Sequence, residues 1–347
     1  MFSFPKVDPQ TKIFTVEIKN VDLSVVNAIR RIILTNIPVV GFKGEDDTSL
    51  QVIVNNGSLH NEIMLHRFGL IPIHFTEEET ENFVQEDYEF EIDVNNETEN
   101  RINVTSEDFK VRKNGMELTS TDVKRLFPPN YITKSYILIT RLQKGQHLHV
   151  KGHAIKTTAN ISSSFCPVSL SNFKYITDPK EAVKADNILD KERAYLKNEY
   201  GEPIAFQFEI ETENALTPKY LFTKAIEILM NKIHKINENI NNLEIREGVN
   251  NAGYEIVFEN EDDTLGSFWQ SLMYDHYIRQ KNKTEKNRDV TYVGYYCPHP
   301  LDTTMIVKIC IEDTDNIQEY RDLLYEHCHR SLEYLQNMQS EFVRVMV

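Results

Sequence analysis

The sequence predicts an α+β fold in which two strand–helix–strand units pack together as an internal pseudo-dimer, with the first unit split by a β-rich insertion. Two observations support this prediction. A strand pattern and an apolar helical stripe open the chain, and the same arrangement returns after residue 248. Each unit also contains a long amphipathic helix, whose apolar side would be exposed unless the other unit covered it.

The first unit opens with a strand and a helix. Apolar and polar residues alternate over residues 13–18, which is the period of a half-buried strand. Asp22 or Ser24 can cap the helix that follows, and this helix ends before a proline. Arg30 and Arg31 lie off its apolar stripe. The stripe has the spacing i, i+3, i+4, i+7 and i+8 and consists of Val25, Ala28, Ile29, Ile32 and Ile33.

A β-rich insertion interrupts this first unit. Over residues 43–204, strand-like pieces such as QVIVNN and YEFEIDV alternate with acidic loops such as FTEEETENF. The flanking residues 1–42 and 205–247 are therefore predicted to form one domain around the insertion.

A long amphipathic helix closes the first unit. Thr217 followed by Pro218 supplies a cap and a proline at the first helical position, and the helix is predicted to run to about Ile245. Its apolar side consists of Leu221, Ala225, Ile228, Leu229, Ile233, Ile236 and Ile240. The polar segment REGVNNAG follows and contains two glycines, which indicates a junction between domains.

The second unit, residues 248–347, repeats the opening pattern. A strand pattern over residues 254–258 leads through the cap candidates Asp262, Asp263 and Thr264 into a helix. The apolar residues of this helix have the spacing of the first stripe and are Leu265, Phe268, Trp269, Leu272 and Met273. Further strand patterns and a last helix follow; the last helix carries Leu324, Cys328, Leu332 and Leu335 at helical intervals.

The apolar sides of helices from both units are expected to form the packing surface of the pseudo-dimer. The residues predicted to pack there are Ile29, Ile32, Ile33, Leu229, Ile233, Phe268, Trp269, Leu272, Leu324 and Leu332.

Composition limits the function. The formal net charge of −15 argues against a protein whose main surface binds phosphates. The four cysteines form no CxxC pair, which makes a reducing compartment the default expectation. The chain shows neither a signal peptide nor a run of about 18 apolar residues. We therefore expect a soluble, intracellular protein without a membrane partner.

The stretch SLHNEIMLHRFGLIPI raises the alternative of a metal-dependent hydrolase, because it places His60, Glu62 and His66 close together. A zincin helix needs two histidines four residues apart with a glutamate directly after the first, and that spacing is absent. On a helix, His60 would lie about 120° around the axis from His66, so the two could not bind one ion.

The favoured interpretation of this stretch is a structural helix. Ser58 is predicted to cap it and Gly69 to end it, with Leu59 and Ile63 on its apolar side. Glu62 and His66 would then form a pair one turn apart.

Two other segments raise the alternative of a zinc site: Cys297-Pro298-His299 and His327-Cys328-His329. Neighbouring residues on a helix point in different directions, so the second triplet cannot hold a metal by itself. A site built from both segments would need an unusual spacing. Cys328 fits better as a small apolar residue of the helix stripe.

A basic run between a helix and a strand raises the alternative of a nucleic-acid-binding module. It carries one glutamate and five cations, Arg279, Lys281, Lys283, Lys286 and Arg288. A solvated loop is the commoner meaning of such a run, and contact with a phosphate backbone or an acidic partner is the alternative. No serine-hydrolase elbow, Walker or Rossmann glycine pattern is present, so positive evidence for catalysis is missing.

Two segments carry a family resemblance. NAIRRIILTNIPVVGF, residues 27–42, and VNNGSLHNEIMLHRFGLIPI, residues 54–73, closely resemble the signature of the assembly subunits of cellular DNA-dependent RNA polymerases. These are the D-type polypeptide of archaeal polymerase, the third subunit of eukaryotic polymerase II and, more distantly, bacterial alpha. GHAIKTTANISSSFCPVS, residues 152–169, is similar to the stretch that closes the inserted domain of that family.

The second unit resembles the smaller partner, which is the L-type polypeptide of archaeal polymerase or the eleventh subunit of polymerase II. The matching segments are residues 263–266, 293–295 and 298–301. In cells those partners are separate chains, whereas here both lie in one polypeptide. This arrangement is similar to the fused subunit of nucleocytoplasmic large DNA viruses.

The resemblance implies two alpha-subunit-type dimerisation units and a non-catalytic assembly platform. The expected partners are the two largest polymerase subunits, which hold the active site and its magnesium, and small zinc-binding subunits; DNA is reached only through the complex. By carry-over, Arg30, Arg31, His66 and Arg67 would lie toward the second-largest subunit. Many relatives hold a metal in the inserted domain, but here that region has only Cys166, so no cofactor is expected.

The resemblance also implies where the protein works. A viral subunit would act in the host cytoplasm, in viral factories, and be carried in the virion; otherwise the expected compartment is the nucleus.

Overall fold

The computed structural model describes residues 1–44, 49–248, 253–299 and 301–346 and divides into two compact units. Unit 1 consists of residues 1–33, 170–211 and 221–347, and unit 2 of residues 34–169 and 212–220. Within unit 1, we call the part before residue 248 the first subdomain and the part after residue 253 the second subdomain. Among the described residues, no helix is both long and apolar enough to span a bilayer.

The strands of the described chain are β1 Phe2–Val7, β2 Phe14–Lys19, β3 Val39–Gly41, β4 Leu50–Asn55, β5 Tyr88–Asn95, β6 Ile102–Thr105, β7 Lys110–Lys113, β8 Met116–Glu117, β9 Leu138–Leu142, β10 His147–Gly152, β11 Ile155–Thr157, β12 Val168–Tyr175, β13 Ala205–Thr212, β14 Ile245–Glu247, β15 Tyr254–Glu259, β16 Val290–Tyr296 and β17 Thr304–Ile311. The α-helices are α1 Leu23–Thr35, α2 Asn61–Gly69, α3 Glu77–Glu81, α4 Ser120–Leu126, α5 Pro179–Ala182, α6 Ile188–Arg193, α7 Pro218–Asn239, α8 Asp263–Met273 and α9 Ile317–Val345. This is a mixed α+β fold, as the sequence predicts.

The first subdomain is built on a sheet with the strand order β1-β2-β13-β12. In β2, Phe14, Val16 and Ile18 point into the core, which confirms the predicted strand alternation. Helix α1 begins after Asp22, whose carboxylate accepts the backbone N–H of Ser24 at 2.7 Å. All five residues of the predicted α1 stripe are buried. Residues 170–204, which the sequence assigns to the insertion, lie in unit 1, because β12 is the neighbour of β13.

The second subdomain repeats this plan with a sheet in the order β14-β15-β17-β16, to which the chain before residue 248 contributes β14. Asp262 caps α8 by accepting the backbone N–H of Thr264 at 2.9 Å. Four of the five stripe residues of α8 are buried, and the exception is Leu272, which is half-buried. Helix α9 buries its predicted stripe, including Leu324 and Leu332.

The junction between the subdomains differs from the sequence prediction. Helix α7 ends at Asn239, earlier than Ile245, and a 3-10 turn over Ile240–Asn242 follows it. The chain then forms β14, which pairs with β15, so the predicted polar break contains a strand of the second sheet. Gly253 is needed there because its backbone has φ +71°, which disfavours other residues. The remainder of the predicted break, residues 249–252, lies outside the described residues.

Unit 2 is organised around a sheet with the strand order β4-β10-β5-β7-β8, together with the paired strands β3-β11 and β6-β9. Its core is rich in aromatic rings, and Phe109 stacks on Phe127 with centroids 4.3 Å apart. Helix α2 contributes Met64, Leu65 and Phe68 to this core. The fold of unit 2 is thus β-rich, with α2 packed by its apolar side.

Candidate assembly interfaces

Helix α2 carries the histidines that raise the metal alternative. The helix begins at Asn61, with His60 at the cap position, so Ser58 is not its cap. Its buried side consists of Met64, Leu65 and Phe68. The predicted apolar side is wrong for Ile63, which is 48% exposed, whereas Leu59 precedes the helix and packs, partly buried, against the core of unit 2. The reason is that the core of unit 2 contacts Met64, Leu65 and Phe68, which lie within about 100° of one another on the helix face opposite Ile63.

The polar residues of this segment face solvent. His60, Glu62 and His66 are all exposed, and the described part of the chain contains no group of three or more His, Cys, Asp or Glu arranged to hold a metal ion. Arg67 is also exposed, and its guanidinium donates to the carbonyl oxygen of Leu138 on β9 at 2.6 Å. This contact anchors the Arg67 side chain at the surface of α2, where Glu62 and His66 are also exposed.

Arg30 and Arg31 on α1 have different surroundings. The Nε of Arg30 donates to Asn27 Oδ1 at 3.0 Å on the same helix. Partial burial, and then the neighbouring charge of Arg31, lower the pKa of Arg30 from its usual value. The side-chain hydrogen bond of Arg30 is thus local to α1, whereas its carbonyl oxygen accepts from the hydroxyl of Ser171 on β12 at 3.4 Å.

Arg31 instead reaches the second subdomain. Its Nε donates to Thr264 Oγ1 at 2.9 Å, and its guanidinium lies 3.7 Å from the Asp262 carboxylate. Both partners lie at the N-terminus of α8, and Asp262 is the cap of that helix. Arg31 is thus a bridge between α1 and the corresponding helix of the second subdomain.

Further contacts join the two subdomains. The rings of Phe2, Phe222 and Phe342 form a cluster in which Phe222 stacks on Phe342 at 4.2 Å. All three rings are buried, and Phe342 lies near the end of α9, whereas Phe2 lies on β1. The N-terminal ammonium of Met1 also lies 3.1 Å from Glu341. The two ends of the chain therefore meet in one apolar cluster.

An ion pair reinforces the same junction at α7. Lys232 Nζ lies 2.6 Å from the carboxylate of Glu261, and both side chains are largely buried. Burial raises the pKa of Glu261 despite the nearby lysine, because a charged carboxylate is poorly solvated there. Arg321 on α9 also donates to the carbonyl oxygens of Ile240 and Leu243, which follow α7.

The basic run is largely neutralised by acidic partners. Each of four cations pairs with a carboxylate of unit 1, namely Arg279 with Glu202, Lys283 with Asp289, Lys286 with Asp322 and Arg288 with Glu319. Arg279 ends a π-helix, Tyr274–Arg279, and is not part of a loop. These pairs reduce the positive potential that phosphate binding would need.

The two cysteine and histidine segments also behave differently. Cys297 donates to Asp263 Oδ1 at 3.5 Å. His327 is fully buried on α9, with its ring 4.8 Å from that of Trp269 and its Nε2 3.3 Å from Ser331 Oγ. Burial, followed by the charges of Arg330 and His276, lowers the pKa of His327 to about 3. Cys328 is buried as well, and burial raises its pKa to about 12.

These features occur in a chain whose sequence matches a known family. The model of the RNA polymerase Rpb3/Rpb11 dimerisation domain matches residues 15–233. The chain therefore belongs to this family, and the resemblance to alpha-like RNA polymerase subunits is confirmed at that level.

Individual relatives agree with this assignment. The chain is 29% identical over 175 residues to a conjugation stage-specific protein of Tetrahymena thermophila, covering 46% of this chain and 54% of that protein. It is 22% identical over 278 residues to subunit RPAC1 of Saccharomyces cerevisiae DNA-directed RNA polymerases I and III, covering 61% and 80%. It is also 24% identical over 178 residues to subunit 3 of Arabidopsis thaliana DNA-directed RNA polymerases II, IV and V, covering 47% and 53%. The match thus spans about half of the Tetrahymena and Arabidopsis relatives.

Sequence reasoning missed two structural contacts of the chain. It treated Arg30 and Arg31 as equivalent, although only Arg31 contacts α8. It also missed the anchor of α7: the carboxylate of Glu77 on α3 accepts from both the backbone N–H and the hydroxyl of Thr217. The acidic run FTEEETENF was the available signal, because carboxylates favour helix N-termini.

Proposed function

We propose that this chain is the non-catalytic assembly platform of a multisubunit DNA-directed RNA polymerase, in which two alpha-subunit-type units form a dimer within one polypeptide. The family model ends at residue 233, and the residues after it supply a second sheet and helices α8 and α9. The observation that carries the proposal is the direct contact between these two parts, from Arg31–Thr264 at one end to the Phe2, Phe222 and Phe342 cluster at the other.

The fusion has a physical advantage. Joining two partners through a short connection replaces a bimolecular encounter with an intramolecular one, at an effective concentration of roughly millimolar order. The two units are also produced in equal amounts. The fused arrangement favours a viral subunit that acts in host cytoplasmic factories and is packaged in the virion; a cellular subunit would work in the nucleus.

The proposed docking surface for the second-largest subunit includes Arg30, His66 and Arg67. The last two are exposed on α2, and the guanidinium of Arg30 lies off the buried stripe of α1. Arg31 belongs to the proposed surface too, but its contacts with Asp262 and Thr264 suggest that it acts mainly by holding α1 against α8. The magnesium and zinc of the enzyme would lie on the other subunits.

The test is a tagged purification of the chain from its native source at mild salt, scored for co-eluting polypeptides and template-dependent RNA synthesis. The proposal predicts two very large partners, small zinc-binding partners and synthesis. A chain that elutes alone, or one with chelator-sensitive hydrolytic activity, would overturn it and return attention to His60, Glu62 and His66. Tight, salt-sensitive DNA binding by the chain alone would instead favour the basic run as a nucleic-acid site.

A further inference from the structure

A groove in unit 1 is lined by residues of α1, β12 and α8, together with Arg279 of the basic run. It has a volume of about 790 Å³ and is bounded by the start of α1, the end of β12, the turn at residues 198–204, and one side of α8 with its π-helical extension. We call it the junction groove, because residues of both subdomains form its walls. Its volume is within the range of sites that hold small molecules or short peptide segments.

Part of the lining of the junction groove is apolar. It includes Leu23, Phe173 and Leu272, which we call the floor, and each of them is only partly buried. Leu272 is the one member of the α8 stripe that the core leaves incompletely covered. The exposed part of such a side chain can be buried only by a further group that enters the groove. Burial of apolar surface contributes a favourable free energy of roughly 25 cal/mol per Å². The floor is therefore suited to an apolar side chain.

The walls of the groove carry excess negative charge. Asp22, Glu202 and Asp275 contribute carboxylates, whereas Arg279 is the single cation among the lining residues. Arg279 is already engaged, because it lies 2.5 Å from Glu202 and 3.1 Å from Asp275. It also stacks over the ring of Tyr200, with its guanidinium carbon 4.4 Å from the ring centre. The net negative potential of the groove therefore favours a bound cation and repels phosphates.

The groove is also lined by the polar residues Asn27, Ser267 and Ser271. The amide oxygen of Asn27 accepts from Arg30, whereas its N–H groups and the two serine hydroxyls are of the kind that can bond to an extended backbone. The adjoining wall is a π-helix, Tyr274–Arg279, a rare conformation that occurs frequently at functional sites.

We propose that the junction groove binds an extended segment of a partner protein in which an apolar side chain stands next to a lysine or arginine. The apolar side chain lies on Leu23, Phe173 and Leu272, and the cation lies toward Asp22 and Asp275. Because both subdomains form the groove, the bound segment also holds them together. None of the four residues of the proposed docking surface lines the groove, so this proposal does not depend on the polymerase assignment.

The experiment places the photo-crosslinking residue benzoylphenylalanine at Phe173 in the full chain, expressed in its native source. The matched control carries the same residue at Tyr292, an exposed aromatic on β16 that does not line the groove. After irradiation, mass spectrometry identifies the attached segment. A synthetic fluorescein-labelled copy of that segment is then titrated against the full-length chain by fluorescence anisotropy.

The expected result is a protein segment that is cross-linked from position 173 and not from position 292. Its labelled copy should bind with salt-dependent affinity and lose about tenfold when its lysine or arginine is replaced by glutamate. Ser271→Arg, which narrows the groove and adds a like charge, should weaken binding by about the same factor, whereas Ser340→Arg on the exposed side of α9 should not.

Several results would overturn the proposal. These are cross-linking to nucleic acid or to a second copy of the chain, equal cross-linking from both positions, none from either, or unchanged binding by Ser271→Arg. Thermal melting checks that the variant is folded. Ser267→Arg, which lines the same groove, replaces Ser271→Arg if that variant melts early, and unchanged binding by it would be equally decisive.

Discussion

Helices α1 and α8 have the same apolar spacing but different surroundings. In α1, all five stripe residues are buried, whereas in α8 the fourth residue, Leu272, faces the junction groove. The corresponding residue of α1 is Ile32, which is fully buried. The difference shows that the same apolar spacing can bury a residue in the core in one helix and leave the corresponding residue at a surface in the other. The packing of the folded chain, and not the spacing, determines which of the two occurs.

The largest expected effect comes from replacing each residue of this matched pair, Ile32 and Leu272, by alanine. Ile32→Ala should reduce the free energy of unfolding by about 3 kcal/mol, since it removes a fully buried side chain and leaves a cavity. Leu272→Ala should cost about 1 kcal/mol or less, because that side chain is already partly exposed. Denaturant unfolding of both variants measures the two changes. Equal losses would contradict the assignment of Leu272 to the groove.

Titration of His327 on α9 provides the next test. Its ring packs against Trp269 of the α8 stripe, whereas the α1 stripe contains no titratable residue. Its folded pKa of about 3 lies below the unfolded value of 6.5, so the unfolded chain binds this proton more readily. The contribution of neutral His327 to the free energy of unfolding is complete above pH 6.5. As the pH falls below that value, the free energy of unfolding should decrease by about 1.4 kcal/mol per pH unit down to about pH 3. Denaturant unfolding between pH 7 and pH 5 measures this slope.

His327→Gln provides the control for this slope, because glutamine does not titrate in that range. The variant should be less stable at pH 7 but show a flatter decline toward pH 5. A slope identical to that of the unaltered chain would mean that other groups determine the acid sensitivity.

Arg31→Ala should have a smaller effect, of about 1 kcal/mol on unfolding. The change removes the hydrogen bond to Thr264 and the contact with Asp262, but the side chain is 40% exposed and its ion pair is therefore screened. Arg30→Ala, whose contact is confined to α1, should change stability by less than about 0.5 kcal/mol. If both variants were equally stable, the bridge between α1 and α8 would contribute nothing.

Capture of the large subunits tests the proposed docking role of Arg30. Arg30→Glu should leave the melting temperature almost unchanged but weaken co-purification of the two largest subunits, because it reverses a charge on the proposed docking surface. Arg101→Glu, an exposed charge reversal in unit 2, serves as the control. Undiminished capture by Arg30→Glu would remove Arg30 from that surface.

Much of the fold could be predicted from periodicity. The β2 and β15 strands, the Asp262 cap and the stripes of α1 and α9 follow from local sequence patterns, because burial of one face imposes a fixed spacing. The predicted stripe of α7 is confirmed except at Ile228, which is half-buried, and at Ile240, which lies beyond the helix. The end of α7 could not be predicted, since pairing of β14 with β15 depends on residues beyond the helix. The buried side of α2 also depends on the distant core of unit 2.

The candidate surfaces were less predictable than the fold. The motif residues identified α2 and the two arginines, but the sequence does not show that Arg31 reaches Thr264 or that the basic run meets carboxylates such as Asp322 and Glu319. Such pairs join residues distant in sequence, and the tertiary fold alone brings them together. The junction groove is invisible in the sequence for the same reason.

Cleavage between the subdomains tests the central claim most directly. A protease site inserted between Gly248 and Gly253 would be cut in the purified full-length chain, and the product would be analysed by size exclusion and for capture of the two largest subunits. The intrachain dimer predicts that the two fragments elute together and still capture both large subunits. Fragments that separate while remaining folded, or fragments that stay together but capture nothing, would contradict it.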